Sequence, residues 1–110
     1  MTNPPQLRPA DLADHAVLLD VREQDEWDLG HAPGAVHIPL GDLPARIAEL
    51  PVTDAAPLAV ACRVGARSAQ AVAWLSQQGF DVVNLDGGMM AWDAAGKQMV
   101  ALGTEAPRVK

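Results

Sequence analysis

A second cysteine is missing from this chain of 110 residues, whose one thiol is Cys62. That absence excludes an internal disulfide, a metal site built from several thiolates and a resolving thiol on the same chain. Basic residues are scarce as well: eight Lys and Arg stand against fourteen Asp and Glu, a formal charge of −6. Nucleic-acid surfaces show the opposite balance, so no nucleic acid is expected as a partner. Neither a basic, apolar leader nor a run long enough to span a bilayer occurs in the sequence. The chain therefore reads as cytoplasmic, with no membrane partner. Internal repeats and low-complexity segments are lacking too, so nothing suggests a repeat array.

What is present suits one hydrophobic core. Half of the residues are apolar (49%), and nine Gly with nine Pro point to short elements joined by tight connections. A single domain over 1–110 is expected, irregular at 1–5 and frayed at 104–110. Pro4, Pro5 and Pro9 leave room for at most a short edge strand near Gln6–Arg8, followed by a helical turn or two from Pro9. Ala16–Val21 is a continuous apolar run of the kind buried on both faces of a sheet. The charged stretch Asp20–Asp28, with Trp27 inside it, reads as a turn or short helix. Gly30–Ala35 reads as loop and Val36–Ile38 as a second strand. Leu43, Ile47 and Leu50 fall on one helical stripe that Asp42 could cap. Leu58–Ala61 predicts a strand, Ala69–Gln78 a helix stopped by Gly79, and Phe80–Leu85 another strand. Met89–Ala95 predicts a last helix. Strands alternating with helices give an α/β fold, a mainly parallel central sheet of about five strands with helices on both faces.

Parallel sheets place their sites at the carboxyl ends of strands, where Leu58–Ala61 delivers Cys62. The free N–H groups and dipole of the following helix N-terminus favour an anion there, and a thiolate is an anion. Gly65 allows the loop to curl its N–H groups inward, and Arg63 and Arg67 add two charges. A free thiol, with its pKa near 8.5, is about one-tenth ionised near pH 7.5. Lowering that value by about two units, or about 2.7 kcal/mol, makes it about nine-tenths thiolate. The plainer reading of Cys62 is a small buried hydrophobe at a strand end.

Cys62-x-x-Gly65-x-Arg67 resembles the active-site loop of the rhodanese family of sulfurtransferases. Leu19-Asp20-Val21-Arg22-Glu23 with Glu26-Trp27, then Gly30-His31-Ala32-Pro33-Gly34-Ala35-Val36-His37-Ile38-Pro39, and Asn84-Leu85-Asp86-Gly87-Gly88 with Trp92 extend the resemblance along nearly the whole chain. It departs at Ala32, where a larger aliphatic is usual, and at Trp27, where Phe or Tyr is common. The resemblance implies a cofactor-free and metal-free transfer of sulfane sulfur through a persulfide on Cys62. The donor would be a small sulfur anion such as thiosulfate, and the acceptor cyanide, a thiol or a protein. N–H groups of Arg63, Val64, Gly65, Ala66, Arg67 and Ser68 would cradle the persulfide, with Arg67 on the donor's charge and Arg63 at the mouth. Asp20, Arg22 and Glu26 read as an ion-pair set bracing the loop, and His31 as a hydrogen-bonding brace in a turn.

Two rivals remain. A cysteine phosphatase or arsenate reductase needs five residues before its arginine, whereas four separate Cys62 from Arg67 and position 68 is Ser. A non-enzymatic sulfur relay or interaction module would look the same in sequence and differ in its acceptor.

Overall fold

The computed structural model describes residues 6–51 and 57–110. The irregular start expected at 1–5, together with residues 52–56, lies outside the described residues. Five strands, β1 (Gln6–Leu7), β2 (Leu18–Asp20), β3 (Ala35–His37), β4 (Leu58–Ala61) and β5 (Val82–Leu85), form one sheet. Its order is β1-β5-β4-β2-β3, and every pairing is parallel. Three α-helices accompany it: α1 (Gln24–Leu29), α2 (Ala66–Gln77) and α3 (Gly88–Ala94).

Successive residues of a strand point to opposite faces, and that alternation divides the core in two. Leu19, Val21, Leu58 and Val60 face one side, where Val72 and Leu75 of α2 cover them. Leu18, Ala59, Ala61, Val83 and Leu85 face the other, under Met89 and Trp92 of α3. The central strands β2, β4 and β5 are buried throughout, which is why they read as apolar runs, broken only by Asp20 at the end of β2 and Asn84 within β5. The α2 helix buries Ser68, Ala71, Val72 and Leu75, a stripe at helical spacing with one polar member beside Cys62.

Three expectations need correction. The stripe of Leu43, Ile47 and Leu50 does not lie on an α-helix; the segment forms two 3-10 turns, Leu40–Asp42 and Ile47–Glu49. Arg46, at φ −116° and ψ 20°, leaves helical geometry between them, and Asp42 makes no side-chain cap. Leu43 still reaches the core, with Ile47 and Leu50 at its margin. The second difference is the start of α2, which begins at Ala66, three residues early, so Arg67 and Ser68 belong to its first turn. The third is the tail at 104–110, which is tied down instead of frayed. Arg108 N–H donates to the Leu29 carbonyl at 2.9 Å, Val109 packs at the edge of the core, and Lys110 pairs with Asp25.

Candidate active site

Cys62 leaves the carboxyl end of β4, and the chain reverses at Gly65 to enter α2 directly. The reversal needs φ +115° at Gly65, a left-handed value costly for a residue with a side chain. Gly65 N–H then points back at the Cys62 sulfur, 3.0 Å away, and the Ser68 hydroxyl approaches it at 3.3 Å. Burial alone would push the thiol pKa up. Hydrogen bonds from the Ser68 hydroxyl and from the Ser68, Gly65 and Val64 N–H groups outweigh it, and the pKa lies below the ordinary thiol value. The donors are loop and first-turn amides, the free N–H groups of a helix N-terminus. Cys62 is only 1% exposed, so the sulfur sits at the floor of this ring.

The other side of the loop is held by α3. Met89 N–H donates to the Cys62 carbonyl at 2.8 Å and Met90 N–H to the Arg63 carbonyl at 3.0 Å. This close approach requires Gly88, since a Cβ there would lie 2.5 Å from the Cys62 oxygen. The Asp86-Gly87-Gly88 turn thus serves as a brace for the thiol loop.

Arg67 stands beside this ring but is already partnered. Its guanidinium grips the Glu26 carboxylate through two bonds of 2.7 and 2.9 Å. The hydrogen bonds from Arg67 hold the Glu26 carboxyl below its usual range, while Glu26 raises the arginine further above its own. Glu26 also accepts from Glu23 N–H at 3.1 Å, which anchors it in the first turn of α1. Its carboxylate therefore does not join Asp20 and Arg22 as the sequence suggested. Those two form a separate buried pair: Arg22 Nε and Nη2 reach Asp20 at 3.0 and 2.8 Å. The remaining Arg22 donors go to the Gly30 and Glu26 carbonyls, tying β2 to α1 and the following turn.

Arg63 is exposed, and its Nε donates to the Lys110 carbonyl at 2.8 Å, so the tail reaches the mouth of the loop. Val64 at the tip is 53% exposed, and Ala66 is exposed as well. His31 lies away from the ring of donors, with Nδ1 bonded to the Trp27 carbonyl at 2.7 Å. Because a carbonyl only accepts, Nδ1 carries the proton. Its ring stacks on Trp27 at 3.5 Å, and His37 stacks on Trp27 as well, at 4.8 Å. One buried residue behind the thiol was not singled out from the sequence as part of the site: Asn84, whose side chain meets Ser68 and Gly65. An amide inside the otherwise apolar run Val82–Leu85 was the available signal.

A lone thiol under convergent amide donors thus lies at the carboxyl end of a central strand in a parallel α/β sheet. The Rhodanese-like domain model matches residues 7–95, and the chain belongs to that family. It is similar to a sulfurtransferase of Allochromatium vinosum, 41% identical over 95 residues covering 86% of each chain. A solved rhodanese-related protein of Thermoplasma volcanium matches with a TM-score of 0.78 at 33% identity, over 90% of this chain and 99% of that one. The thiosulfate sulfurtransferase of Pseudomonas aeruginosa gives 0.74 at 28% identity, over 93% of this chain and 21% of its own.

Proposed function

We propose that this chain is a sulfurtransferase that carries sulfane sulfur on Cys62, with thiosulfate or a similar small anion as donor. The observation that supports this most is the hydrogen-bonded Cys62 sulfur, whose lowered pKa favours the nucleophilic thiolate. The thiolate attacks the outer sulfur of the donor, a sulfur–sulfur bond forms, the donor's own sulfur–sulfur bond breaks, and sulfite departs with the electron pair. The amides of Val64, Gly65 and Ser68 stabilise the anionic sulfur. An acceptor (cyanide, a thiol or a partner protein) then attacks the outer sulfur, and Cys62 returns as thiolate. Charge and electrons balance without a cofactor.

Burial of Cys62 is compatible with this cycle. A bound sulfur adds a bond of about 2 Å and carries the reactive atom outward from the floor of the ring. The names of the Allochromatium and Pseudomonas proteins support the activity and the donor respectively. No helix of the described residues is long and apolar enough to cross a membrane. We place the activity in the cytoplasm, where a lone thiol stays reduced.

Intact-mass measurement after thiosulfate treatment tests the reading. One added sulfur on the chain, absent in Cys62→Ser, is expected, together with thiocyanate production from cyanide. A chain that gains no sulfur, and makes no more thiocyanate than Cys62→Ala, would overturn it. Phosphate release from an aryl phosphate at a comparable rate would favour the phosphatase reading instead.

A further inference from the structure

We propose that Asn84 is a positioning residue for Cys62, acting through the single proton of the Ser68 hydroxyl, a role that rests on Cys62 being the nucleophile. Asn84 lies in β5 with its side chain buried at 3% exposure. Its Nδ2 donates to the Gly65 carbonyl at 3.2 Å. That carbonyl can only accept, which fixes the amide and turns Oδ1 toward Ser68. Ser68 Oγ is 2.5 Å from Oδ1, 3.2 Å from the Gly65 carbonyl and 3.3 Å from the Cys62 sulfur.

One hydroxyl proton thus faces three acceptors. Two oxygens 2.5 Å apart need a proton between them, and Oδ1 has none to give. With Cys62 as thiol, Ser68 donates to Asn84 and offers a lone pair to the S–H. With Cys62 ionised, the sulfur becomes the stronger acceptor, and the hydroxyl rotates to it at the expense of the bond to Asn84. Asn84 is therefore a competitor for the proton that stabilises the thiolate. It holds Cys62 less acidic than the loop amides and an unopposed Ser68 would make it. A moderately basic thiolate is also the better nucleophile and keeps its attacking strength.

The second contact of Asn84 is separable from this effect. The Gly65 carbonyl keeps its helical bond from Ala69 N–H at 3.0 Å when Nδ2 is removed, so it is not orphaned.

The test is the ionisation of Cys62 itself, read from alkylation rate against pH and from thiolate absorbance, with no sulfur donor present. Ser68→Ala should raise the thiol pKa. Asn84→Leu, which preserves volume, should lower it, raising the acid dissociation constant by about threefold to tenfold, the range of one neutral hydrogen bond. Asn84→Ala gives a second reading if the leucine variant does not fold. In the Ser68→Ala background the same Asn84 substitutions should leave the pKa unchanged. An equal shift in both backgrounds, or a rise in the Ser68 background, would overturn the role. Failure of the sulfurtransferase reading would appear separately, as a wild-type chain that ionises normally yet takes up no sulfur from thiosulfate.

Discussion

Both carboxylate oxygens of Glu26 are bonded to the Arg67 guanidinium, at 2.7 and 2.9 Å, so that cation is balanced before any donor arrives. A donor bound at Arg67, as the proposed cycle expects, would share it with Glu26. Glu26→Gln removes the competing charge while keeping an acceptor for Glu23 N–H. Its KM for thiosulfate is expected to fall several-fold at low salt, and the gain should fade as salt screens the exposed mouth. Arg67→Ala should impair thiosulfate use more than it lowers thermal stability. Steady-state kinetics at two ionic strengths, with a melting curve for each variant, check both; an unchanged KM in both variants would remove Arg67 from donor binding.

The pH profile follows from the lowered pKa of Cys62. The rate of sulfur uptake should rise with pH through that pKa and level off below the ordinary thiol range near 8.5. The sign for stability is the same. The folded state releases its proton at a lower pH than the unfolded chain, so Cys62 adds stability as pH rises from its folded pKa toward about 8.5. Below the folded pKa that contribution vanishes. The gap in urea midpoint between the wild type and Cys62→Ala should narrow toward the acid end to the constant cost of the lost buried side chain; a gap independent of pH would contradict the assignment.

The Asp20–Arg22 pair is wholly buried, at 1% and 0% exposure. Removing one partner leaves the other charged and unpaired. Asp20→Asn or Arg22→Met should each cost about 3–5 kcal/mol of stability, and the double variant Asp20→Leu/Arg22→Met should recover much of it. Denaturant titration of the three variants decides the matter, with additive losses as the failing result.

Gly88→Ala should be far more harmful than Gly96→Ala, although both glycines have positive φ. A methyl at 88 would press within 2.5 Å of the Cys62 carbonyl and 2.6 Å of the Arg63 carbonyl, whereas one at 96 meets nothing within 4 Å. Loss of the α3 brace should lower sulfur uptake along with stability. At 96 only the backbone strain of about 1 kcal/mol remains. Equal melting temperatures for the two variants would count against the brace.

Local signals carried most of the sheet and the position of the thiol loop. Leu58–Ala61, Cys62 and Gly65 are adjacent in sequence, so an apolar run, a thiol and a flexible hinge were legible together. Glu26 and Arg67 lie 41 residues apart, and no spacing rule links a first-turn carboxylate of α1 to a first-turn arginine of α2. The tail was misjudged for the same reason: its polar residues look solvated until Asp25, Leu29 and Arg63 are seen to hold it. The Leu43–Leu50 stripe misled differently. Apolar spacing says which side chains turn inward, and two short turns satisfy it as well as a helix does.

At 1% exposure the Cys62 sulfur also works as a gauge of molecular width. Val64 and Arg63 stand exposed above it, so a narrow alkylating reagent is expected to react faster than a branched disulfide or a bulky maleimide. If Cys62 carries sulfur as proposed, the added atom is the first part of it that a large partner can touch. In that reading, loaded and empty molecules would differ in shape where an acceptor must make its choice.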